Sequence, residues 1–266
     1  MTRSHVQPDD RFAAAGDFPD IAAWLGDTPE TTISLHHLTR RQCRVAISGD
    51  LPTPRAAIVQ SDDVLEEPMA FGGDAGAIWH ALQAVDGWTC VNVLPAAAAP
   101  LSALMGRELG APIRTQDDIY HTLEGPAPRI VREEVRLLTP DDLPLLEAAP
   151  PSLQGGGFGS PAAELAEGIV AAGIIAGEVV AYVHAYALTP KHADVGVATQ
   201  EDQRGRGLAT AAAALVAGVL QATGRTPVWS CGEPNAASRR VAAKLGFREV
   251  SRRVYLIVDQ RRGSPS

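Results

Sequence analysis

The residues of this chain that could do chemistry gather in one short segment, Asp194 to Thr210. It reads as a strand, a polar turn and a glycine-rich loop that leads into a helix. The first N–H groups of a helix lack intrahelical partners and lie at the positive end of the helix dipole, so the loop suits an anion, typically a phosphate. Gly205 and Gly207 remove Cβ atoms where a ligand must approach the backbone. Positive charge at the same point comes from Arg204 and Arg206.

The spacing of these residues excludes two other phosphate loops. No Gly-Lys-Ser/Thr follows, as a Walker A loop requires, and Thr210 stands where the dinucleotide fingerprint has its third glycine. The loop Arg204-Gly205-Arg206-Gly207-Leu208-Ala209 instead resembles the acetyl-CoA motif Arg/Gln-x-x-Gly-x-Gly/Ala of the GCN5-related N-acetyltransferase (GNAT) superfamily. The segment Asn235 to Phe247 resembles the second motif of that family. The resemblance extends over residues 129–259, about half of the chain.

The resemblance implies an α/β (α+β) fold, with a mixed and mostly antiparallel central sheet flanked by helices. It also implies acetyl-CoA as the acyl donor and an amine as the acceptor. In the GNAT fold the fourth strand splays away from the fifth, and its free N–H groups bind the pantetheine arm and the acetyl carbonyl. On this sequence those groups belong to Val197, Ala198 and Thr199.

The same resemblance assigns the other contacts to the donor. Asn235, which could also be a plain helix N-cap, would contact the pantetheine arm. The pyrophosphate would be bound by Arg204, Gly205, Arg206, Gly207, Leu208, Ala209 and Thr210.

Acetyl transfer to an amine needs a proton acceptor for the amine and a fate for the leaving thiolate. In many GNAT members a tyrosine seven residues after the motif's Asn protonates the thiolate, but Ala242 stands there in this chain. Ser238, Tyr255 or a water molecule could replace the tyrosine, or the thiolate could leave unprotonated.

Asp194 is the first candidate for the general base, because some GNAT members carry a carboxylate at this place on the fourth strand. The alternative is an Asp at a strand edge in solvent. His184 and Glu233 are further candidates. Cys231 could act as an acyl-accepting nucleophile, but it has no evident His partner, and a buried structural thiol is the alternative.

The pocket for the amine is expected to be formed by residues 143–161 and the final strands. The glycines of 155–159 in that segment are either a mobile lid or a plain connection. Aromatic side chains that could line the pocket are Phe158, Tyr182, Tyr186 and Tyr255.

Composition limits the function classes. The chain has 266 residues, with 31 acidic and 23 basic side chains and a formal net charge of −8, which argues against a nucleic-acid-binding protein. No segment has the apolar length of a membrane span or a signal peptide. Three widely spaced cysteines argue against a disulfide framework or a zinc site. We therefore expect a cytoplasmic protein that contacts neither nucleic acid nor membrane.

The pattern of elements predicts two related halves. Helix breakers at residues 124–128 predict a domain boundary between a GNAT-like domain over 32–126 and a catalytic GNAT domain over 127–262, after an N-terminal extension over 1–31. The second half predicts the order β-α-β-β-β-α-β-α-β. The first half has a similar order but no basic glycine loop, which predicts a tandem duplication with one degenerate copy.

Apolar periodicity and helix-breaking residues also predict individual helices, strands and loops. Alternating apolar residues from Thr32 onward predict a strand, Pro100 to Leu109 a helix, and Pro150 to Pro161 a loop. Strands are predicted over Arg129–Leu138, Gly168–Ile175, Val179–Leu188, Asp194–Ala198, Pro227–Cys231 and Arg248–Val258. A tight turn is predicted at Ala176-Gly177 and a helix over Ala236–Leu245.

Three functions fit these observations. The first is an acetyl-CoA-dependent N-acetyltransferase in which the amine attacks the thioester directly. The second is a non-catalytic acyl-CoA-binding regulatory module, suggested by Ala242, and the third is a protein-lysine acetyltransferase. The sequence leaves open whether the acceptor is a small-molecule amine or a peptide amine. It also leaves open the acyl chain length and the oligomeric state, with a homodimer among the options.

Overall fold

The structure is a computed structural model, and it describes residues 12–259. The first eleven residues of the expected N-terminal extension and residues 260–262 of the expected catalytic domain lie outside this range. The α-helices are α1 (Phe18–Leu25), α2 (Thr32–Arg40), α3 (Ala75–Leu82), α4 (Pro95–Leu109), α5 (Leu143–Glu147), α6 (Pro161–Glu167), α7 (Leu208–Ala222) and α8 (Ala236–Leu245). The strands are β1 (Cys43–Ser48), β2 (Ala56–Ser61), β3 (Met69–Phe71), β4 (Cys90–Val93), β5 (Ile113–Thr122), β6 (Val135–Leu137), β7 (Val170–Ile175), β8 (Glu178–Leu188), β9 (His192–Thr199), β10 (Thr226–Gly232) and β11 (Arg248–Val258).

The chain divides into two compact units that are discontinuous in sequence. Unit 1 comprises the described residues up to Gly26, His37–Asp118 and the described residues from Arg252 onward. Unit 2 comprises Asp27–His36 and Ile119–Ser251. The expected domain boundaries at residues 31 and 126 stay a prediction, since spatial units of this kind follow contacts rather than the order of the chain.

Unit 1 contains strands in the order β1-β2-β3-β4-β11-β5. Neighbouring strands β1 and β2 are antiparallel, whereas β3 and β4 are parallel. Asp74 caps α3, because its carboxylate accepts a hydrogen bond from the Ala77 N–H at 3.0 Å. The core of this unit packs α3 and α4 over the strands and includes Ile58, Ile78, Leu101, Met105 and Leu256.

Unit 2 contains strands in the order β5-β10-β9-β8-β7-β6. Helix α7 covers one face with small and branched apolar side chains, and a second core on the other face joins α5 and α6 to the strands. Side chains alternate along β8, so Ala181, Val183 and Ala185 enter the α7 core while Tyr182 belongs to the α5–α6 core. These two faces of β8 and β9 decide which side chains can meet at a site.

Most predicted elements of the second half are confirmed. Strands β7 to β10 lie where they were expected, and α8 and β11 have the predicted bounds. The turn at Ala176 and Gly177 is also confirmed, with φ of 51° and 82°.

Two predictions were wrong because local capping decides the start of a helix. Residues from Thr32 form α2 rather than a strand, since Thr28 and Pro29 begin a helical turn and the Thr32 hydroxyl donates to the Thr28 carbonyl at 3.0 Å. Helix α4 begins at Pro95, five residues earlier than predicted, because a proline suits the first helical position.

Three further elements differ from the prediction. The strand expected over Arg129–Leu138 shortens to β6. Strand β5 was not predicted at all. The segment Pro150–Pro161, predicted as a loop, contains a helical turn at Pro151–Leu153 and ends at α6, which was also missed and which Ser160 caps by accepting from the Ala163 N–H. None of the helices within residues 12–259 is long and apolar enough to cross a membrane.

Candidate functional site

The glycine-rich loop has the backbone geometry that its sequence predicts. Gly207 is the N-cap residue of α7 with φ of 80°, and Gly205 also has φ of 80°. This left-handed conformation is rare for residues with a side chain, which explains a glycine at both positions. The loop is held from outside by Arg132, whose guanidinium donates to the Arg206 carbonyl at 3.1 Å.

A cleft of about 820 Å³ in unit 2 opens beside this loop. Its volume lies in the range of pockets that hold small ligands. Of the predicted donor-binding residues, all but Arg206 line it: Val197, Ala198, Thr199, Arg204, Gly205, Gly207, Leu208, Ala209, Thr210 and Asn235. The Arg206 guanidinium instead donates to the Gln203 side chain at 2.6 Å.

Strand β9 offers unpaired backbone groups to the same cleft. Its parallel pairing with β10 ends at the rung Asp194–Val228, whereas its antiparallel pairing with β8 continues to Thr199, opposite Ala181. The edge of β9 that faces β10 is therefore open over residues 195–199. Backbone N–H groups on such an edge can donate to a carbonyl oxygen of a ligand.

The second wall of the cleft contains residues that sequence reasoning missed. Ala237, Arg240, Val241 and Lys244 of α8 line it at helical spacing, so a helical-wheel analysis starting from Asn235 would have found them. Ser152 and Leu153 also line the cleft, and no local pattern indicates them. Together with Arg204, the two α8 cations make this wall positive, which suits a polyphosphate.

Asn235 and Ser238 form the start of α8. The Asn235 carboxamide oxygen accepts from the Ser238 N–H at 3.1 Å, so Asn235 is an N-cap as well as a cleft residue. The Ser238 hydroxyl lines the cleft and accepts from the Trp229 indole N–H at 2.8 Å, so its own proton is oriented away from that nitrogen. Ala242 is fully buried and offers no acid.

Asp194 is buried rather than exposed at a strand edge. Only 4% of the residue is exposed, and the Ser230 hydroxyl donates to its carboxylate at 2.9 Å. The reading of Asp194 as a solvated strand-edge residue is therefore wrong. Of the other proton-acceptor candidates, Glu233 is exposed and its carbonyl accepts from Arg239, while Cys231 is a buried free thiol.

Tyr255 is not brought together with the other predicted residues. It belongs to unit 1, opposite Asn92 in the pairing of β11 with β4, and it is not among the residues that line the cleft. Burial, and then the charges of Asp118 and Glu67, raise the pKa of Tyr255 well above its usual value, so its hydroxyl stays protonated.

The expected acceptor segment packs onto the α5–α6 face of the strands. Phe158 and Tyr182 are buried, and none of the predicted aromatic residues lines the cleft. The Gly157 carbonyl accepts from His36 Nε2 at 2.7 Å, and Gly155, Gly157 and Gly159 all have positive φ. In this structure the glycines of 155–159 form a packed connection.

Comparison with known proteins agrees with this geometry. Residues 156–255 match the family model described as GNAT acetyltransferase. A comparison with curated proteins found no match. The structure of a GCN5-related N-acetyltransferase-like protein from Streptococcus suis has a TM-score of 0.69 at 19% identity, over 92% of this chain and 100% of that one.

Two further solved structures have the same fold. A GCN5-related N-acetyltransferase from Kribbella flavida has a TM-score of 0.60 at 18% identity, over 88% of this chain and 96% of the other. A tandem GNAT protein from the clavulanic acid biosynthesis pathway has a TM-score of 0.53 at 16% identity, over 92% and 96% of the two chains. At these identities the likeness shows the fold. The resemblance indicated by the two sequence motifs is therefore confirmed by a family model that matches residues 156–255 and by the fold that this chain shares with GNAT proteins.

Proposed function

We propose that this protein is an acetyl-CoA-dependent N-acetyltransferase whose donor site is the cleft between β9, the glycine loop and α8. One observation carries the proposal: the open edge of β9 and the N-terminus of α7 line the same cleft. The first provides donors for a carbonyl oxygen, and the second provides donors for phosphate.

The residues of the cleft fit acetyl-CoA along its length. A Cβ at Gly205 would meet no other heavy atom within 4 Å, so the space beside the loop is open to a ligand. Arg204, Arg240 and Lys244 supply positive charge for phosphate groups. When bound, acetyl-CoA supplies an activated acetyl thioester.

The chain's own contribution to catalysis is to stabilise charge and to move protons. The N–H groups of Val197 and Thr199 point to the open edge of β9 and would stabilise the carbonyl oxygen as negative charge develops on it. The N–H of Ala198, which was expected to act with them, points toward β8 instead, as that of Gln200 does. Asp194 would accept a proton from the amine, with His184 as the other acceptor on the same face of the strands. Ser238 is the proposed proton donor to the leaving thiolate, because its hydroxyl lines the cleft.

Tyr255 was the other proposed donor for the thiolate. A phenol whose pKa is raised by burial keeps its proton, and Tyr255 does not line the cleft as Ser238 does, so Tyr255 is the less favoured donor of the two. Testing both requires only Ser238→Ala and Tyr255→Phe, with the rate of thiol release as the readout.

Two other functions are compatible with the same donor site. A non-catalytic acyl-CoA-binding module is favoured by Ala242, since a buried alanine cannot protonate a thiolate. A protein-lysine acetyltransferase would use the same donor site and differ in the amine. We also propose that the first domain is a degenerate GNAT copy, which the tandem fold of a solved relative supports. A cytoplasmic location is proposed as well, because the three cysteines form no disulfide.

The test is release of free CoA thiol from acetyl-CoA across a panel of small amines, amino acids and lysine peptides. The proposal predicts release that depends on one class of amine, with the acetylated amine identified by mass spectrometry. Release with lysine peptides alone would favour the protein acetyltransferase. Acetyl-CoA binding without release from any amine would contradict catalysis and favour the regulatory module.

A further inference from the structure

Unit 2 contains a buried carboxyl group that contacts the side chain of His184. Glu164 of α6 and His184 of β8 are 1% and 6% exposed, and His184 Nδ1 contacts Glu164 Oε1 directly. Burying a carboxylate is costly unless it is hydrogen-bonded, so the contact fixes an N–H on Nδ1 that donates to the carboxylate.

Two glycines make room for this pair. A Cβ at Gly155 would overlap the Glu164 carboxylate and the Tyr182 hydroxyl, and a Cβ at Gly196 would overlap the His184 ring. The rings of Tyr182 and Tyr186 flank the imidazole, with centroids 4.9 Å and 5.8 Å away. These contacts give the imidazole ring a defined orientation.

Tyr182 is the neighbour of Glu164 on the β8 side of the pair. Burial, and next the negative charge of Glu164, raise the pKa of Tyr182 far above its usual value. Tyr182 therefore stays neutral, and the carboxylate is the negative group that faces the imidazole from α6.

The other nitrogen of the ring is available for chemistry. Among residues 12–259, His184 Nε2 has no hydrogen-bond partner, and it is not one of the fully enclosed polar atoms. Because Nδ1 carries the proton, Nε2 has the lone pair.

The register of the strands places this nitrogen beside the open edge of β9. His184 lies opposite Gly196, which is two residues past the last rung that joins β9 to β10 and one residue before Val197. Asp194 is further from the opening, on that last rung, where Ser230 already donates to it. A strand rises about 3.3 Å per residue, so along β9 the position opposite His184 is roughly 7 Å nearer to Val197 than Asp194 is.

We propose, on the basis of the acetyltransferase function proposed above, that His184 is the residue that deprotonates the amine and that Glu164 positions it. The ammonium form of the amine gives one proton to Nε2, and Glu164 stabilises the resulting imidazolium. The nitrogen lone pair then forms a bond to the thioester carbonyl carbon, and the C–S bond breaks with its electron pair on sulfur. The Ser238 hydroxyl gives its proton to the thiolate and takes the second N–H proton of the amine in its place, and the proton on His184 passes to solvent.

Glu164 and His184 would have the same roles as the carboxylate and imidazole of hydrolases, in which the carboxylate fixes the tautomer and stabilises the charged ring. Here the proton comes from an amine rather than from a serine. In this assignment His184, the second acceptor named above, replaces Asp194 as the residue that takes the proton from the amine.

The experiment compares His184→Gln and Glu164→Gln with the wild type, using the amine that the thiol-release panel identifies. His184→Gln should lower kcat about 100-fold, as expected for loss of a general base, with the Kd for acetyl-CoA unchanged. Glu164→Gln should lower kcat about tenfold, because the imidazolium loses its counter-charge. Glu178→Gln is the matched control: it makes the same carboxylate-to-amide change at an exposed position of β8, the strand that carries His184, and its kcat should equal that of the wild type.

A second amine separates a catalytic role from a structural one. An aromatic amine or a hydrazide is neutral at pH 7 and needs no base, so the ratio of wild-type to His184→Gln rates should fall toward one. An equal loss with both amines, or a loss in Glu178→Gln as large as in Glu164→Gln, would overturn the inference.

Histidine nitrogen NMR gives a readout that does not depend on activity. The wild-type spectrum, assigned with His184→Gln, should show His184 near neutral pH with its proton on Nδ1, and a proton on Nε2 alone would also overturn the inference. Thiol release that His184→Gln leaves unchanged defeats only this inference. A wild-type protein that releases no thiol with any amine defeats the proposed function itself.

Discussion

Three glycines have the same backbone conformation, but only two of them line the cleft, so the third serves as a control for the effect of backbone strain on acetyl-CoA binding. Gly205, Gly207 and Gly224 all have φ of 80°. A Cβ at Gly205 or Gly224 would meet no heavy atom within 4 Å, and a Cβ at Gly207 would meet only the Arg132 guanidinium, at 3.4 Å. Gly205 and Gly207 line the cleft, whereas Gly224 follows the other end of α7 and does not.

The alanine variants should therefore lose similar stability but different affinity. Each places an L residue in the left-handed region, which costs about 1–2 kcal/mol and lowers Tm by about 2–4 °C per kcal/mol. At Gly205 and Gly207 the added methyl group also stands where a phosphate must reach the loop N–H groups. Losing one charge-assisted hydrogen bond of about 1.5–3 kcal/mol weakens binding about 10- to 100-fold.

The assay is isothermal titration of each variant with acetyl-CoA, with thermal unfolding as the measure of strain. We expect Gly224→Ala to bind like the wild type despite a lower Tm, and Gly207→Ala to bind at least tenfold more weakly at a similar Tm. The reasoning is refuted if Gly207→Ala and Gly224→Ala have the same affinity, since backbone strain alone would then explain any effect.

Three further predictions concern the cleft wall, a helix cap and the cysteines. The double variant Arg240→Glu, Lys244→Glu should raise the KM for acetyl-CoA about tenfold, and much less for acetyl-dephospho-CoA if these cations meet the 3′-phosphate; an equal rise with both donors would exclude that contact. The hydrogen bond from the Arg136 guanidinium holds the pKa of Asp142 well below its usual range. Asp142→Asn should therefore lower the free energy of unfolding, measured in urea at pH 7, by about 1 kcal/mol. The ionised form stabilises the fold above the unfolded pKa, so this difference from the wild type should narrow as the pH falls below about 4; a constant difference would contradict the ion pair. Burial raises the pKa of the Cys43 and Cys90 thiols to about 12, so at pH 8 neither should react with a disulfide reagent until the protein is unfolded, and fast reaction of both would contradict their burial.

The parts of the fold that were predictable are those whose signals are local. Helix α8 has a capping Asn235 before it and Gly246 after it in the left-handed conformation, so both ends are marked in the sequence. The glycine loop before α7 is likewise a local feature of spacing and charge. Ten of the donor residues predicted from such local signals line one cleft in the structure.

The parts that were missed depend on contacts between distant segments. Strand β5 carries Arg114, Asp117 and Asp118 within its length, so its composition resembles a polar loop, and it is a strand because β10 and β11 provide partners. Helix α6 is short, and only its cap is visible in the sequence. The contact of Glu164 with His184 joins residues twenty positions apart on a helix and a strand, and no periodicity indicates it.

The same distinction explains the uncertain assignment of Asp194 from sequence. Its position on the strand before the loop was readable, but its burial and its bond to Ser230 depend on the register of β9 with β10. Register is a tertiary property, and a shift of one residue would have turned the side chain to the other face.

The most direct test of the central claim is isothermal titration of the wild-type protein with acetyl-CoA. The account predicts saturable binding at one site per chain, with CoA competing for that site because the phosphate contacts are shared. Absence of binding would contradict the assignment of the cleft beside Gly205 and Gly207 as a donor site, and the proposed acetyltransferase function would fail with it.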